Sequence, residues 1–419
     1  MAENGAESIP ERCSLLRHHG GGPAPVSYLE LFFDLVYVFA ITQISHALLV
    51  NLSWRGLAEA SVLFLAVWWA WMYTTWAANW ANPDRAAVRI MLLLGMLASL
   101  LMAVALPHAF SLGVEDNGTL FAGSYLALQM GRTLFMAVIM RRDDPRGMMN
   151  MLRISSWFAV SSLLWVAGLR AAGDARLAWW LGALGIEYLG PLAGFATPFL
   201  GRSLAADWAI SGSHMAERCA LFIIIALGEG IVVTGVNFGG AVPTPQRIAA
   251  FLCAFAGSVL MWWIYFDLGA ERGARHIENH AEPGRVAREA YTYLHMPIVG
   301  SIVVSAVADA LVLEGSEGGA ATGLILTLCG GLVTYLASVG LFKRFSNALG
   351  NFPLSHTVGC VLLLALGGWA WLRPLPVTTI AAAAVLVLLT VAVWEWGSYN
   401  GGWRERLLRL KPVQGSSNR

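Results

Sequence analysis

Five ionisable residues lie within otherwise apolar stretches of the chain, and they are the side chains best placed to do chemistry: Asp34, Arg132, Glu187, Glu229 and His295. Carboxylates can exchange protons or hold a cation, and a neutral imidazole can relay protons. An ionised side chain in hydrocarbon costs about 2.5 to 3.5 kcal/mol, so each one needs a partner, a cavity or a role. The sequence therefore predicts that these five residues line a substrate or ion pathway.

Two acids open the first apolar stretch. Glu30 and Asp34 stand four residues apart, which places them one turn apart on one face of a helix. Two ionised carboxylates stacked in this way repel each other, so either one is protonated or both share a cation or an arginine. The simpler alternative is that Glu30 only caps the helix and pairs with an arginine from a loop.

Glu229 falls near the middle of its apolar stretch, between Gly228 and Gly230. Two glycines there allow a helix to unwind or another backbone to approach closely. By residue count, Glu187 and Arg132 reach a similar depth. The alternative for these three charged residues is a buried ion pair, with Arg132 between the acids, that only fixes helix packing.

His295 lies about a quarter of the way along its stretch, followed by Pro297. Proline frees a backbone carbonyl in a helix, and a hydrogen bond from His295 to such a group is the alternative to a proton relay. Asp267 and Asp309 are nearer the ends of their stretches, where pairing at the interface is expected. Neighbouring residues are expected to support the pathway: Glu30, Glu217, Arg218, Gly228 and Gly230.

The elements that carry these residues are long and apolar. The 419 residues are 57% hydrophobic and only 13% charged, a balance that is not typical of soluble domains. A helix of about 20 apolar residues spans a bilayer. The sequence predicts an all-α, polytopic integral membrane protein with about 12 transmembrane helices, at about 27–50, 57–78, 88–109, 119–140, 152–170, 177–199, 217–238, 247–268, 290–312, 322–342, 354–372 and 376–396.

The Lys and Arg residues predict the orientation, because they stay preferentially on the cytoplasmic side. With the N-terminus inside, most of the 27 fall in cytoplasmic segments, and five fall outside: Arg55, Arg170, Arg176, Arg247 and Arg373. We therefore expect both termini to lie in the cytoplasm. The basic residues and leucines of 403–411 suit a short helix on the membrane surface or a frayed tail.

The predicted organisation is a cytoplasmic N-terminal tail (1–26), a first six-helix half (27–199), a cytoplasmic linker (200–216), a second six-helix half (217–396) and a basic cytoplasmic tail (397–419). Three short matches favour a parallel 6+6 repeat, although chance would also explain them. Glu30 matches Glu217, the segment 68–73 matches 262–267, and Tyr125 matches Tyr335, each pair in corresponding helices. Some transporters are built from parallel repeats.

Several function classes lack their sequence signals. The chain has no P-loop, GxSxG or HExxH motif, and no basic face for nucleic acid. His276 and His280 have the spacing of a metal pair but no clear third ligand, so we expect no metal site and no cofactor. The expected partners are membrane lipids and an unknown small solute or ion, and a homo-oligomer remains open.

Three segments carry a resemblance to a known family. Residues 30–36 read ELFFDLV, residues 214–218 read HMAER, and residues 221–229 read LFIIIALGE. From about residue 24 to about 396, the chain resembles the bacterial low temperature requirement protein A (LtrA) family. The resemblance implies a polytopic, multi-pass protein of the bacterial cytoplasmic (inner) membrane that is linked to growth in the cold, with no settled substrate. Family members often have Ser where this chain has Gly230.

The buried charges favour a secondary transporter, proton-coupled or not, of unknown substrate. The alternative is a non-transporting membrane protein that senses or adjusts the state of the bilayer in cold adaptation. A third interpretation is an enzyme that acts on a lipid within the membrane, with the carboxylates as acid and base, so enzyme activity is left open.

Overall fold

The computed structural model describes residues 14–17, 25–204, 208, 210–240, 242–267, 283–315, 322–346, 351–373 and 375–399. These residues confirm the predicted all-α class, since they include no β-strand, and isolated bridges join Leu16 with Ala81 and Thr197 with Gly201. The histidine pair at 276 and 280 and the tail segment 403–411 lie outside the described residues.

The helices are numbered in chain order. They are α1 (Tyr28–Val50), α2 (Trp54–Trp80), α3 (Ala86–Ala105), α4 (Gly118–Asp143), α5 (Pro145–Leu169), α6 (Asp174–Leu192), α7 (Gly212–Gly239), α8 (Pro245–Phe266), α9 (His295–Glu314), α10 (Gly331–Ser346), α11 (Leu354–Leu372) and α12 (Val377–Tyr399). A short turn of helix, Pro283–Val286, and a π-helical stretch, Ala287–Tyr293, precede α9. Thr322–Ile325 and the π-helical Leu326–Gly330 precede α10 in the same way.

The chain is a multi-pass membrane protein. In the part of the chain that the structure describes, 10 helices are long and apolar enough to cross a membrane. Of the predicted spans, those that correspond to α4 and α6 are not among the 10, because polar and charged residues lower their hydropathy. The count of twelve crossings therefore stays a prediction.

Local sequence explains where several helices begin. Ser27 forms a capping box with Glu30 at the start of α1, since the Ser27 side chain accepts from the Glu30 N–H while the Glu30 side chain accepts from the Ser27 N–H. At the starts of α5 and α8, the capping residues Asp144 and Thr244 are each followed by proline, which needs no hydrogen-bond acceptor in a first turn.

Helix α6 is shorter than predicted. The expected span ran to residue 199, whereas the helix ends at Leu192, directly after Pro191. The chain then turns through left-handed backbone at Gly194, Phe195 and Phe199, with φ angles of 61°, 48° and 65°. Left-handed residues cannot continue a right-handed helix, so the apolar composition of 193–199 overstated the length of the span.

The described residues fall into two compact units, here called the first unit and the second unit. The first unit comprises Met1–Ile225 and Ala274–Met296. In it, α4 packs on α3 and α5, α5 packs on α6, and α1 packs on α2 and α3. Its core is aromatic, with fully buried side chains at Trp68, Trp69, Trp71, Trp165 and Trp180.

The second unit comprises Ala226–Gly273 and Pro297–Arg419, so that its boundary falls within α7. Helix α12 packs on α8 and α11, and α10 packs on α11. Gly359 permits the close approach of these helices, because a Cβ there would lie 2.6 Å from Val391 Cγ2 and 2.7 Å from Leu336 Cδ1. These units are grouped by proximity in space, and the predicted six-helix halves stay a prediction.

Candidate functional site

An open pocket in the first unit has aromatic walls and a positive charge. Its volume is about 810 Å³, including the open space at its mouth. Helix α2 supplies much of its lining, and other residues come from the described parts of the chain around 195–208 and 284–292. Its aromatic residues are Trp69, Tyr73, Trp76, Trp80, Phe195 and Trp208, and its charged residues are Arg132, Arg285 and Arg288. Among the described residues, no Asp or Glu lines it.

Arg132 is buried, with 4% of its surface exposed. Its Nη1 donates to the Ala70 carbonyl at 3.2 Å and to Thr74 Oγ1 at 2.9 Å, and its Nη2 donates to Gln129 Oε1. Its guanidinium carbon lies 5.3 Å from the centroid of the Tyr73 ring. No carboxylate within the described residues is close enough to form an ion pair with it. The alternative of an Arg132 held directly between two acids is therefore not what the structure has.

A chain of side-chain hydrogen bonds links this guanidinium to Glu187. Gln129 Nε2 donates to the Tyr125 hydroxyl at 3.0 Å, and the Tyr125 hydroxyl donates to Glu187 Oε2. Ser161 Oγ and Trp165 Nε1 donate to Glu187 Oε1 at 2.7 and 2.9 Å. Tyr125, Gln129 and the arginine are spaced along one face of α4, which is why a single helix carries most of the chain. Two of the five predicted pathway residues are thus connected.

Glu30 belongs to a different cluster. Its Oε2 accepts from the Ser27 N–H at 2.7 Å and from Arg17 Nη2 at 3.1 Å, as the simpler alternative predicted. Its Oε1 lies 2.8 Å from His214 Nε2, a contact that the sequence did not predict. The supporting residue Glu217 is exposed and accepts from the Val26 N–H at 3.3 Å.

Asp34 forms an ion pair with a different residue, Arg218. Its Oδ1 accepts from Arg218 Nη2 at 2.7 Å and from Trp71 Nε1 at 2.8 Å. Asp34 and Glu30 are both fully buried on one face of α1, as predicted, but they do not share an arginine. The segments that carry the family resemblance, 30–36 and 214–218, therefore meet through two contacts in the first unit, a hydrogen bond between Glu30 and His214 and an ion pair between Asp34 and Arg218.

His295 is fully buried, and its Nδ1 lies 2.8 Å from the Ala290 carbonyl. Its ring stacks on Tyr291, with the centroids 4.8 Å apart. A backbone bond was the alternative that we considered, although the carbonyl comes from the π-helical stretch and is not the one that Pro297 frees. His295 forms no part of the chain between Arg132 and Glu187.

Glu229 lies in the second unit and is 3% exposed. Helix α7 continues unbroken through Gly228 and Gly230, so the helix does not unwind here. A Cβ at Gly230 would lie 3.8 Å from Ala306 Cβ and from Ser258 Oγ, which is an ordinary contact distance. The glycines therefore mark neither a break nor an unusually close approach.

Asp309, which we expected near a membrane interface, lines a small, mostly apolar cavity of the second unit together with Cys253 and Ser305.

A buried ion pair in the second unit was missed by the sequence reasoning. Lys343 Nζ donates to Glu395 Oε2 at 2.7 Å and to the Ile264 carbonyl at 2.6 Å, and both charged residues are buried. Lys343 was counted with a loop because it follows the predicted span, and Glu395 stands at the end of the last span. A signal was present, since Glu395 is an acid within the predicted twelfth span.

The two cations have corresponding backbone acceptors. Arg132 donates to Ala70, which follows the pair Trp68-Trp69, and Lys343 donates to Ile264, which follows the pair Trp262-Trp263. Each cation also lies about two turns after a tyrosine in its helix, Tyr125 or Tyr335. The acids differ: Lys343 contacts its carboxylate, whereas Arg132 reaches Glu187 only through other side chains.

One further ion pair lies at the ends of the spans. Asp116, between α3 and α4, accepts from Arg176 Nη1 at 2.7 Å and from Nη2 at 2.6 Å. The bonds from Arg176 hold the pKa of Asp116 below its usual value.

Comparison with known proteins gives one family and one curated relative. Residues 25–393 match the family model described as "Bacterial low temperature requirement A protein (LtrA)". An uncharacterized protein of Rhizobium meliloti (strain 1021) is 36% identical over 381 residues, which cover 91% of each chain. No solved structure matches.

Proposed function

The chain belongs to the bacterial low temperature requirement A family, and we propose that it is a secondary transporter of a small solute. One observation carries the proposal. Arg132 is almost fully buried, lines an open pocket, and has no carboxylate ion-pair partner among the described residues. Placing such a group inside a membrane protein is costly, and ionisable residues of this kind mark substrate and ion pathways.

We propose proton coupling through Glu187. As a carboxylate it accepts three hydrogen bonds, including the one from Tyr125. We propose that a Glu187 protonated on Oε2 donates to the Tyr125 oxygen, so that the Tyr125 hydroxyl hydrogen turns away and its hydrogen bond with Gln129 is altered. Gln129 is also an acceptor of Arg132, so the proton and a solute at Arg132 would each change the affinity for the other.

We further propose that α4 and α6 cross the membrane, which makes twelve crossings with both termini in the cytoplasm. The two helices have 26 and 19 residues, or roughly 39 and 28 Å at about 1.5 Å per residue. Their polar residues Gln129, Arg132 and Glu187 are buried in the first unit, while apolar residues such as Val138 and Leu181 are exposed. The distribution of Lys and Arg supports this orientation, and membership of a bacterial family supports a bacterial inner membrane.

A parallel 6+6 repeat is part of the same proposal. The corresponding acceptors Ala70 and Ile264 support it, because they occupy the same position after matching tryptophan pairs in the second helix of each half. Arg132 and Lys343 lie in the fourth helices, and Glu187 and Glu395 in the sixth. Asp34, Glu229 and His295 stay predicted pathway residues.

Purified protein in liposomes tests the transport proposal. An internal pH dye would follow imposed ion gradients and a panel of small solutes for wild type, Arg132→Gln and Glu187→Gln. Arg89→Gln is the control, because it removes an exposed charge outside the pocket. We expect Arg132→Gln to abolish the flux and Glu187→Gln to uncouple it from protons, with the control unchanged.

A folded, correctly inserted wild type with no flux under any condition would contradict the proposal. It would favour a membrane protein that senses or adjusts the bilayer in the cold. Variants of Asp34, Glu229 and His295 belong in the same assay, because they test the remaining predicted pathway residues.

A further inference from the structure

We propose that the pocket of the first unit binds an organic anion with a flat aromatic body. Its acidic group would lie on Arg132 and its ring against the tryptophan walls. This inference rests on the proposed function, because it names the class of solute that the transporter would carry.

The charge of the pocket calls for an anion. Three guanidiniums line it, whereas none of its described lining residues is Asp or Glu. Outside the lining, Glu289 lies 4.0 Å from Arg285 and 3.6 Å from Arg288. Arg132 donates only to neutral acceptors. A carboxylate bound there would exchange neutral acceptors for a charged one, and charge-assisted hydrogen bonds are about twice as strong as neutral ones.

The aromatic lining of the pocket favours a ligand with a flat ring. Trp76, Trp80 and Trp208 form a cluster with centroids 5.5 to 6.0 Å apart at the pocket surface. The polar edge of Trp76 is occupied, since its Nε1 donates to Thr292 Oγ1 at 3.1 Å. Trp69 is stacked on Tyr188 at 3.9 Å, which holds its ring in place. Fixed aromatic rings of this kind pack well against another ring.

The second unit shows what a closed version of this arrangement looks like. There, Glu395 contacts the corresponding cation, Lys343, at 2.7 Å. In the first unit the corresponding acid, Glu187, is held by Tyr125, Ser161 and Trp165 instead. A bound anion would therefore take the position beside Arg132 that a carboxylate of the chain takes beside Lys343.

Binding to the whole protein in nanodiscs tests the proposal without any need for transport. The probes are benzoate, which has the ring and the charge, benzamide, which lacks the charge, and acetate, which lacks the ring. Calorimetric titration should give benzoate an affinity at least about tenfold above either control, since the charge-assisted bond and the ring contact each contribute. Equal affinities for benzoate and benzamide would overturn the proposal.

Four variants locate the binding. Arg132→Gln should weaken benzoate binding by about tenfold or more, and Arg132→Lys should keep part of it because the charge remains. Gln129→Glu should also abolish binding, although Arg132 is intact, because it places a carboxylate on the guanidinium as in the second unit. Arg89→Gln should bind as wild type does. Unchanged binding in both Arg132→Gln and Gln129→Glu would contradict the site.

Two controls distinguish this inference from a lipid-binding site and from the transport proposal. Benzoate binding that anionic phospholipid displaces at membrane concentrations would overturn it in favour of a lipid headgroup. Benzoate binding without flux of any solute would contradict transport but leave the site. Flux of another solute with no binding of benzoate would contradict the solute class but leave transport.

Discussion

The first and second units use a buried cation in opposite ways. In the second unit, Lys343 forms an ion pair with Glu395 at 2.7 Å, and we call such a cation closed. In the first, Arg132 donates to neutral oxygens and faces a pocket, while Glu187 is held by three other donors. Both cations also donate to corresponding carbonyls of a Trp-rich helix. The difference supports our proposal that a buried charge left open to a pocket, rather than burial of a charge alone, marks a pathway.

The largest effect on stability is expected in the closed pair. Lys343→Met leaves Glu395 buried without its cation, and breaking a buried ion pair in this way costs about 3 to 5 kcal/mol. The double variant Lys343→Met with Glu395→Met should recover most of that loss, because no uncompensated charge remains. Thermal unfolding in detergent measures both, and a single variant as stable as wild type would show that the pair is not closed.

The ion pair between Asp34 and Arg218 allows the same comparison within the first unit. Asp34→Asn removes the charge that Arg218 contacts at 2.7 Å but keeps an acceptor for Trp71. The expected loss is about 2 to 3 kcal/mol, because a buried charged hydrogen bond is lost. Unfolding measured beside Arg218→Met should give losses of similar size. A loss below that of Arg132→Gln would contradict the description of Asp34 and Arg218 as a closed pair.

Arg132→Gln should cost less than either closed pair. Its partners are neutral, and glutamine keeps donors near Thr74, so we expect a loss of about 1 to 2 kcal/mol. The same unfolding assay compares it with Lys343→Met. Equal losses of unfolding free energy in the two variants would contradict the distinction between an open and a closed cation.

The smallest effect is expected at Asp116. Its pKa is lowered in the folded protein by Arg176, so the pair stabilises the fold above the ordinary pKa of aspartate. That contribution is lost as the pH falls through the lowered pKa, and for a partly exposed pair it is about 1 kcal/mol or less. Asp116→Asn should therefore be slightly less stable than wild type near neutral pH and equal to it in strong acid. A gap that persists in acid would assign the effect to packing.

Much of the helical architecture could be predicted from the sequence, because the length of an apolar run indicates a helix that can span a bilayer. The orientation, which rests on the distribution of arginines, stays a prediction. The same approach identified Arg132 and Glu187 as buried charges. It misjudged the end of α6, since residues 193–199 are apolar but turn after Pro191. It also placed Lys343 in a loop, because one residue beyond a span can still be helical and buried.

The partners could not be predicted, for a physical reason. Hydropathy fixes how deep a residue lies but not how each helix is rotated against its neighbours. Whether Arg132 meets an acid or Gln129 depends on that rotation. His214 and Arg218 stood in a segment of family resemblance, so their importance was visible, but only the structure divides them between Glu30 and Asp34.

The most direct test of the account is flux in liposomes under an imposed pH gradient, with organic anions that stay ionised, among them benzenesulfonate. Wild type is compared with Arg132→Gln, with Gln129→Glu, and with the double variant Lys343→Met and Glu395→Met. We expect both first-unit variants to lose the flux while they remain folded, and the double variant of the second unit to keep it. Normal flux in Arg132→Gln, or loss of flux only in the second-unit variant, would contradict the account.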